Sequence, residues 1–167
     1  MKLLGAVMII FGALCTGISY VESRKDLITK LDALASALRQ LGAEMENSVS
    51  PLQELLEKQG MQSRGAVRLF FSSAADSMES LGEREFCEIW AECARKFIAD
   101  RQAIRELTEL GGILGRYSLE RQCKAIEHCA VMLEEYRNRL SFELQQTGRL
   151  ALGLPVSAGA LMIILLM

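Results

Sequence analysis

The sequence has little with which to grip nucleic acid or to run acid–base chemistry. Its 19 Lys and Arg fall short of its 21 Asp and Glu, and nucleic-acid binding needs a basic footprint. It has a single histidine, His128. No nucleophile or orienting carboxylate stands at a spacing that would make His128 a general base, so a solvated or edge position is expected. The five cysteines contain no C-x-x-C. Cys87 and Cys93, like Cys123 and Cys129, are six residues apart, about 240° around a helix and about 9 Å along it, so neither pair can bridge or share a metal. They are expected to be small buried residues in a reducing compartment. No cofactor and no enzymatic activity are expected, and the acidic residues Glu83 and Glu85 have no spacing to recommend them for hydrolysis.

Charge is also missing from both ends. Residues 3–21, LLGAVMIIFGALCTGISYV, carry none, and neither do residues 150–167, LALGLPVSAGALMIILLM. Each run reaches the length of about 17 to 25 residues that a membrane-crossing helix needs. No A-x-A-like site follows the first run, and Leu14 before Cys15 is a poor match to a lipoprotein signal, so an uncleaved anchor is expected rather than a signal peptide. The expected organisation is a transmembrane helix at 1–21, a helical domain at 22–149 and a second transmembrane helix at 150–167. Arg24, Lys25 and Lys30 follow the first run and Arg137, Arg139 and Arg149 precede the second, whereas the outer flanks hold only Lys2. The positive-inside rule then puts the central domain in the cytoplasm and both termini across the membrane. Gly12 and Thr16, Ala13 and Gly17, and Gly153 and Ser157 are small-xxx-small pairs of the kind that let helices approach in lipid. Pro155 marks a first turn or a kink.

Between the runs there is one proline, Pro51, and a wealth of Leu, Ala, Glu and Arg. An all-α fold is expected, a helical bundle between the two terminal spans. Leu27, Leu31, Leu34, Leu38, Leu41 and Met45 alternate steps of four and three, with Ile28, Ala35, Gly42 and Val49 on an adjoining row. This heptad stripe predicts one long helix leaving the membrane. Ser50 and Pro51 read as N-cap and first residue of a short helix, 51–59, ended by Gly60. A helix over 63–80 shows Val67, Phe70, Phe71, Ala74 and Met78 on one side and breaks at Gly82. A helix over 83–98 carries Phe86, Ile89, Trp90, Cys93 and Phe97, with Trp90 in the core. A shorter one covers 101–110. The last starts near Ser118, with Leu119, Cys123, Ile126, Ala130, Leu133, Leu140, Leu144 and Thr147 as its stripe and Arg137 as an interruption. The two heptad helices should pack antiparallel, with the shorter ones at the far end or across them.

Three glycines in five residues, Gly111, Gly112 and Gly115, interrupt this helical text in ELGGILGRYSLERQ. A phosphate-binding loop would need Lys-Ser or Lys-Thr after the last glycine, but Arg116-Tyr117 follows Gly115, and no strand precedes the stretch. A helical corner fits better. Gly111 or Gly112 would end one helix in a left-handed C-cap and Gly115 would allow a tight turn. Ser118 would cap the next helix and Glu120 favour its positive end. Gln122 would bond back to the turn.

The stretch G-G-I-L-G-R-Y-S-L-E-R-Q resembles the G-x-x-L-G-x-x-D-x-x-x-Q signature of the stage III sporulation protein AB family. The opening MKLLGAVMII, the segment LGAEMENSVSPLQELL with Glu44 and Pro51-Leu52, Trp90, and the tail ending ILLM extend the resemblance over nearly the whole chain. Ser118 stands where the family commonly has Asp. Both are N-cap residues, so the position reads as the start of a helix and not as a ligand. The resemblance implies a component of the sporulation channel in the double membrane between mother cell and forespore. It also implies a cytoplasmic domain like that of type II secretion and type IV pilus platform proteins, seated in the mother-cell membrane around the forespore. The expected partners are a secretion-type ATPase and other membrane proteins of the channel. Expected contact residues are Glu44, Pro51, Arg116 and Gln122, with Gly111, Gly115 and Ser118 shaping the turn. Sustained heptads alone would equally suit a self-associating coiled-coil membrane scaffold, a homo-oligomer with no ATPase coupling.

Overall fold

A computed structural model describes the backbone at 2–48, 50–78 and 84–166 and the side chains at 19–48, 50–78 and 84–146. Among the described residues there are six α-helices: α1 (Lys2–Asn47), α2 (Leu52–Gln62), α3 (Gly65–Ser77), α4 (Phe86–Phe97), α5 (Arg101–Gly111) and α6 (Leu119–Leu166). The chain divides into two units, 29–137 on the one hand and 1–28 with 138–167 on the other. Among the described residues no helix is long and apolar enough to cross a membrane. The spans expected at 1–21, up to residue 18, and at 150–167, the small-residue pairs within them, Pro155 and Cys15 lie outside the residues whose side chains are described, and Val49, Gly82 and Glu83 lie outside the described residues altogether.

In the unit at 29–137 the heptad stripes do what their spacing requires. Leu31, Leu34, Ala35, Leu38, Leu41 and Met45 of α1 are buried, as are Cys123, Ile126, Ala130 and Leu133 of α6. The two helices run antiparallel: Asp32 pairs with Arg137 at 3.1 Å, and Arg39 holds Glu134 with both guanidinium ends and Glu127 at 3.3 Å. Near the far end the Cys123 thiol donates to the Gly42 carbonyl at 3.8 Å. Leu119 departs from its expected place in the stripe and is 48% exposed. It is the first residue of α6, where the stripe has run past the buried end of its partner.

The short helices pack in sequence, α2 on α3, α3 on α4 and α4 on α5. Their centre is aromatic. Trp90 is fully buried, with Phe70 edge-on at 4.8 Å between centroids and Phe86 at 5.7 Å, and its indole N–H donates to the Leu107 carbonyl at 2.8 Å. That bond satisfies the polar end of an otherwise apolar side chain. Asp100 caps α5 by accepting from the amides of Gln102 and Ala103, both at 3.0 Å, and its second oxygen accepts from the Tyr136 hydroxyl at 2.8 Å. One carboxylate thus starts α5 and ties it to α6.

Several helix ends differ from the sequence reading. Pro51 is the N-cap of α2 rather than its first residue, and Ser50 lies one position outside. Gly60 does not end α2, which continues to Gln62. A Cβ on Gly60 would stand 2.7 Å from Ser72 Oγ, so the glycine serves the close approach of α3. α3 begins at Gly65, with φ +58°, and α4 begins only at Phe86.

In the unit formed by 1–28 and 138–167 the side chains are described at 19–28 and 138–146. The Arg24 guanidinium lies 5.3 Å from the Tyr20 ring centre and donates to the Tyr20 hydroxyl at 3.2 Å. Leu140 is buried and Phe142 is exposed.

Candidate functional site

The α5–α6 corner is built from inside. The Gly112 amide donates to the Thr108 carbonyl at 3.2 Å, and those of Ile113 and Leu114 donate to Leu110 at 2.9 and 3.1 Å, which winds α5 down in a tightening turn. Leu114 is fully buried and anchors the turn to the core. No left-handed cap forms at Gly111 or Gly112. Gly112 is the C-cap with φ −71°, and the positive φ falls at Gly115, +75°. Gly111 has a packing role: a Cβ there would stand 2.5 Å from Trp90 Cδ1.

Gln122 closes the corner from the first turn of α6. Its side-chain carbonyl accepts from the Gly115 amide at 3.0 Å and its amide donates to the Tyr117 carbonyl at 2.6 Å. One side chain therefore pairs two backbone groups that a turn of this shape leaves without partners. Ser118 occupies the N-cap position of α6, its carbonyl accepting from the Gln122 amide at 3.0 Å. The spacing needs an amide: a carboxylate could accept from Gly115 but could not donate to Tyr117.

The corner is tied to two other elements. Arg116 pairs with Glu85, just before α4, at 2.6 Å. A hydrogen bond from the Cys87 thiol, and then the Arg116 charge, hold the Glu85 carboxyl below its usual range. A Cβ on Gly115 would lie 3.9 Å from Leu52 at the start of α2, beside the exposed Pro51. Thus Pro51, Gly115, Arg116, Ser118 and Gln122 gather at one corner, while Gly111 lies beneath it against Trp90. Glu44 is not part of the turn. It is largely buried and pairs with Lys58 of α2 at 3.3 Å, linking the end of α1 to α2.

The outer surface of the corner holds residues that the sequence reading passed over. Tyr117 is 46% exposed, and the Arg121 guanidinium lies 4.1 Å from its ring centre, a cation–π pair of i, i+4 type. Leu119 is 48% exposed at the first residue of α6. The Tyr117–Arg121 spacing could have been noticed, whereas the exposure of Leu119 could not, because its register matches the buried stripe. His128 is exposed. Among the described residues no group of three or more His, Cys, Asp or Glu is placed to hold a metal ion. The exposed Tyr117 ring and the arginines Arg116 and Arg121 are of the side-chain types enriched in protein interfaces.

The sequence model of the stage III sporulation protein AB family matches residues 2–167. A solved structure of a stage III sporulation protein AB (SpoIIIAB) is similar in fold, with a TM-score of 0.61 at 21% identity, over 70% of this chain and 94% of that one. No curated protein matches the chain.

Proposed function

The chain belongs to the stage III sporulation protein AB family and has a role in sporulation, and we propose that it acts there as a non-enzymatic platform that binds a secretion-type ATPase through its α5–α6 corner. The observation that carries this reading is the bracing of the corner. Gln122 holds the turn by two hydrogen bonds, Arg116 ties it to Glu85, and Tyr117 and Leu119 are left exposed. A surface ordered before binding loses less entropy when a partner docks. The two uncharged runs, 3–21 and 150–167, would anchor the platform in the mother-cell membrane around the forespore, with the central domain in the cytoplasm. The mechanism rests on the analogy with secretion and pilus platform proteins that the family resemblance implies.

Complementation tests the reading. A strain lacking the protein should fail to sporulate, and the wild-type chain should restore sporulation. A Tyr117→Asp/Leu119→Asp chain should not restore it, although it accumulates in the membrane. Full restoration by that double variant would refute the corner as the docking surface.

A further inference from the structure

The turn between α2 and α3 carries charge and apolar surface that the fold leaves unused. Met61, in the last turn of α2, is 79% exposed and Leu69 of α3 is 68% exposed, the two highest values among the large apolar side chains described. Arg64 and Arg68 lie between them in sequence. Both are exposed, and neither guanidinium has a partner among the described residues. Arg64 is the N-cap of α3 and Arg68 follows one turn on, about 6 Å away. Residues 60–75, GMQSRGAVRLFFSSAA, hold these two charges and no Asp or Glu. Nothing stands within 4 Å of where a Cβ on Gly65 would lie, so the chain leaves the space beside the pair open.

Other residues hold this turn in place. The Gln40 side chain of α1 donates to Gln62 at 2.5 Å, and the Ser63 amide donates to the Gln59 carbonyl at 3.0 Å. The arginines make no such contact. Two like charges one turn apart repel, and cations in the first turn of a helix oppose its dipole. α3 has no acidic residue in that turn and no side-chain cap to offset them. Their placement destabilises the free chain, and negative charge from outside relieves it.

The number of charges decides the class of partner. Anionic lipid surfaces are recognised by clusters of about 4–8 Lys or Arg, and tight nucleic-acid binding takes on the order of 6–10 phosphate contacts. Two arginines match two carboxylates, each of which a guanidinium can hold with its planar fork. Methionine and arginine are also among the side chains enriched in protein interfaces.

We propose that the α2–α3 turn binds an acidic segment of a partner protein. Arg64 and Arg68 take two carboxylates about one helical turn apart, and Met61 and Leu69 receive apolar side chains beside them. This surface lies at the opposite end of α2 from Leu52, which adjoins the α5–α6 corner, and it does not depend on the ATPase.

Fluorescent helical peptides test this on the full chain in phosphatidylcholine nanodiscs. One carries glutamates at i and i+4 with leucines at i+3 and i+7, and its control has glutamine for both glutamates. The glutamate peptide should bind wild type at least about tenfold more tightly than the control. Arg64→Ala/Arg68→Ala should abolish that preference with helical circular dichroism unchanged. Arg64→Glu/Arg68→Glu should turn it into a preference for a lysine peptide. Met61→Ala/Leu69→Ala should weaken the glutamate peptide while leaving its preference over the control. Equal binding of the two peptides, no binding of either, or a preference that survives Arg64→Ala/Arg68→Ala would overturn the proposal. So would arginine-dependent capture of phosphatidylglycerol vesicles, which would make a membrane the occupant. Self-association that the double alanine variant abolishes would overturn it too, since a second copy would then be the occupant.

Discussion

Gly111 lies beneath Trp90 so closely that a Cβ on it would stand 2.5 Å from the indole Cδ1 and 2.9 Å from Cγ. The indole cannot retreat, being fully buried and bonded to Leu107. Gly111→Ala should therefore destabilise the domain by about 1–3 kcal/mol through overpacking, against a helix-propensity gain of about 1 kcal/mol. Gly112→Ala, next in sequence, should be neutral or slightly stabilising. Its φ is −71° and its Cβ would meet nothing nearer than the Glu109 carbonyl at 3.4 Å. Denaturant titration followed by the fluorescence of Trp90 measures both.

Gly115 is constrained by its backbone and not by its neighbours. With φ +75° and only Leu52 within reach of a Cβ, Gly115→Ala should lose about 1–2 kcal/mol to left-handed strain. Gly115→Asn should lose less, because asparagine tolerates this conformation better. The same titration ranks them. An alanine variant as stable as wild type would contradict the turn described for residues 112–118.

Gln122→Ala removes the partner of the Gly115 amide. Exchange of that amide with solvent deuterium should speed up, and stability should fall by about 1–2 kcal/mol. Gln122→Glu should not restore wild-type stability at neutral pH, since its carboxylate faces the Tyr117 carbonyl without a proton to donate.

The pH response should include Glu92. Hydrogen bonds from Lys96 and Arg84 bring its carboxyl from 4.5 down to about 2. The folded value lies below the unfolded one, so the stabilisation is present above pH 4.5 and is lost as pH falls toward about 2. Glu92→Gln should lack this part of the acid transition. The site is exposed, so about 1 M salt should shrink the difference between the two proteins.

These residues show which parts of the fold are legible in sequence. Periodicity reads the side of a helix that is buried, and the α1 and α6 stripes and the place of Trp90 follow from it; the cap position of Ser118 follows from its residue type. The bond from Gln122 back to the turn was legible because it is local. The turn at Gly115 was legible too, but the roles of Gly60 and Gly111 were not. Gly60 and Gly111 look like helix ends, yet each faces a side chain from a different helix, Ser72 or Trp90. Leu119 has the register of a core residue and is exposed because its helix begins there.

Titration calorimetry of the full chain in nanodiscs with the proposed partner, a secretion-type ATPase, using wild type, Tyr117→Ala and Leu119→Asp, asks whether the α5–α6 corner is a docking surface. Wild type should bind saturably, and each substitution should weaken binding at least about tenfold with helical circular dichroism unchanged. Equal affinity for all three chains, or no binding to wild type, would contradict it.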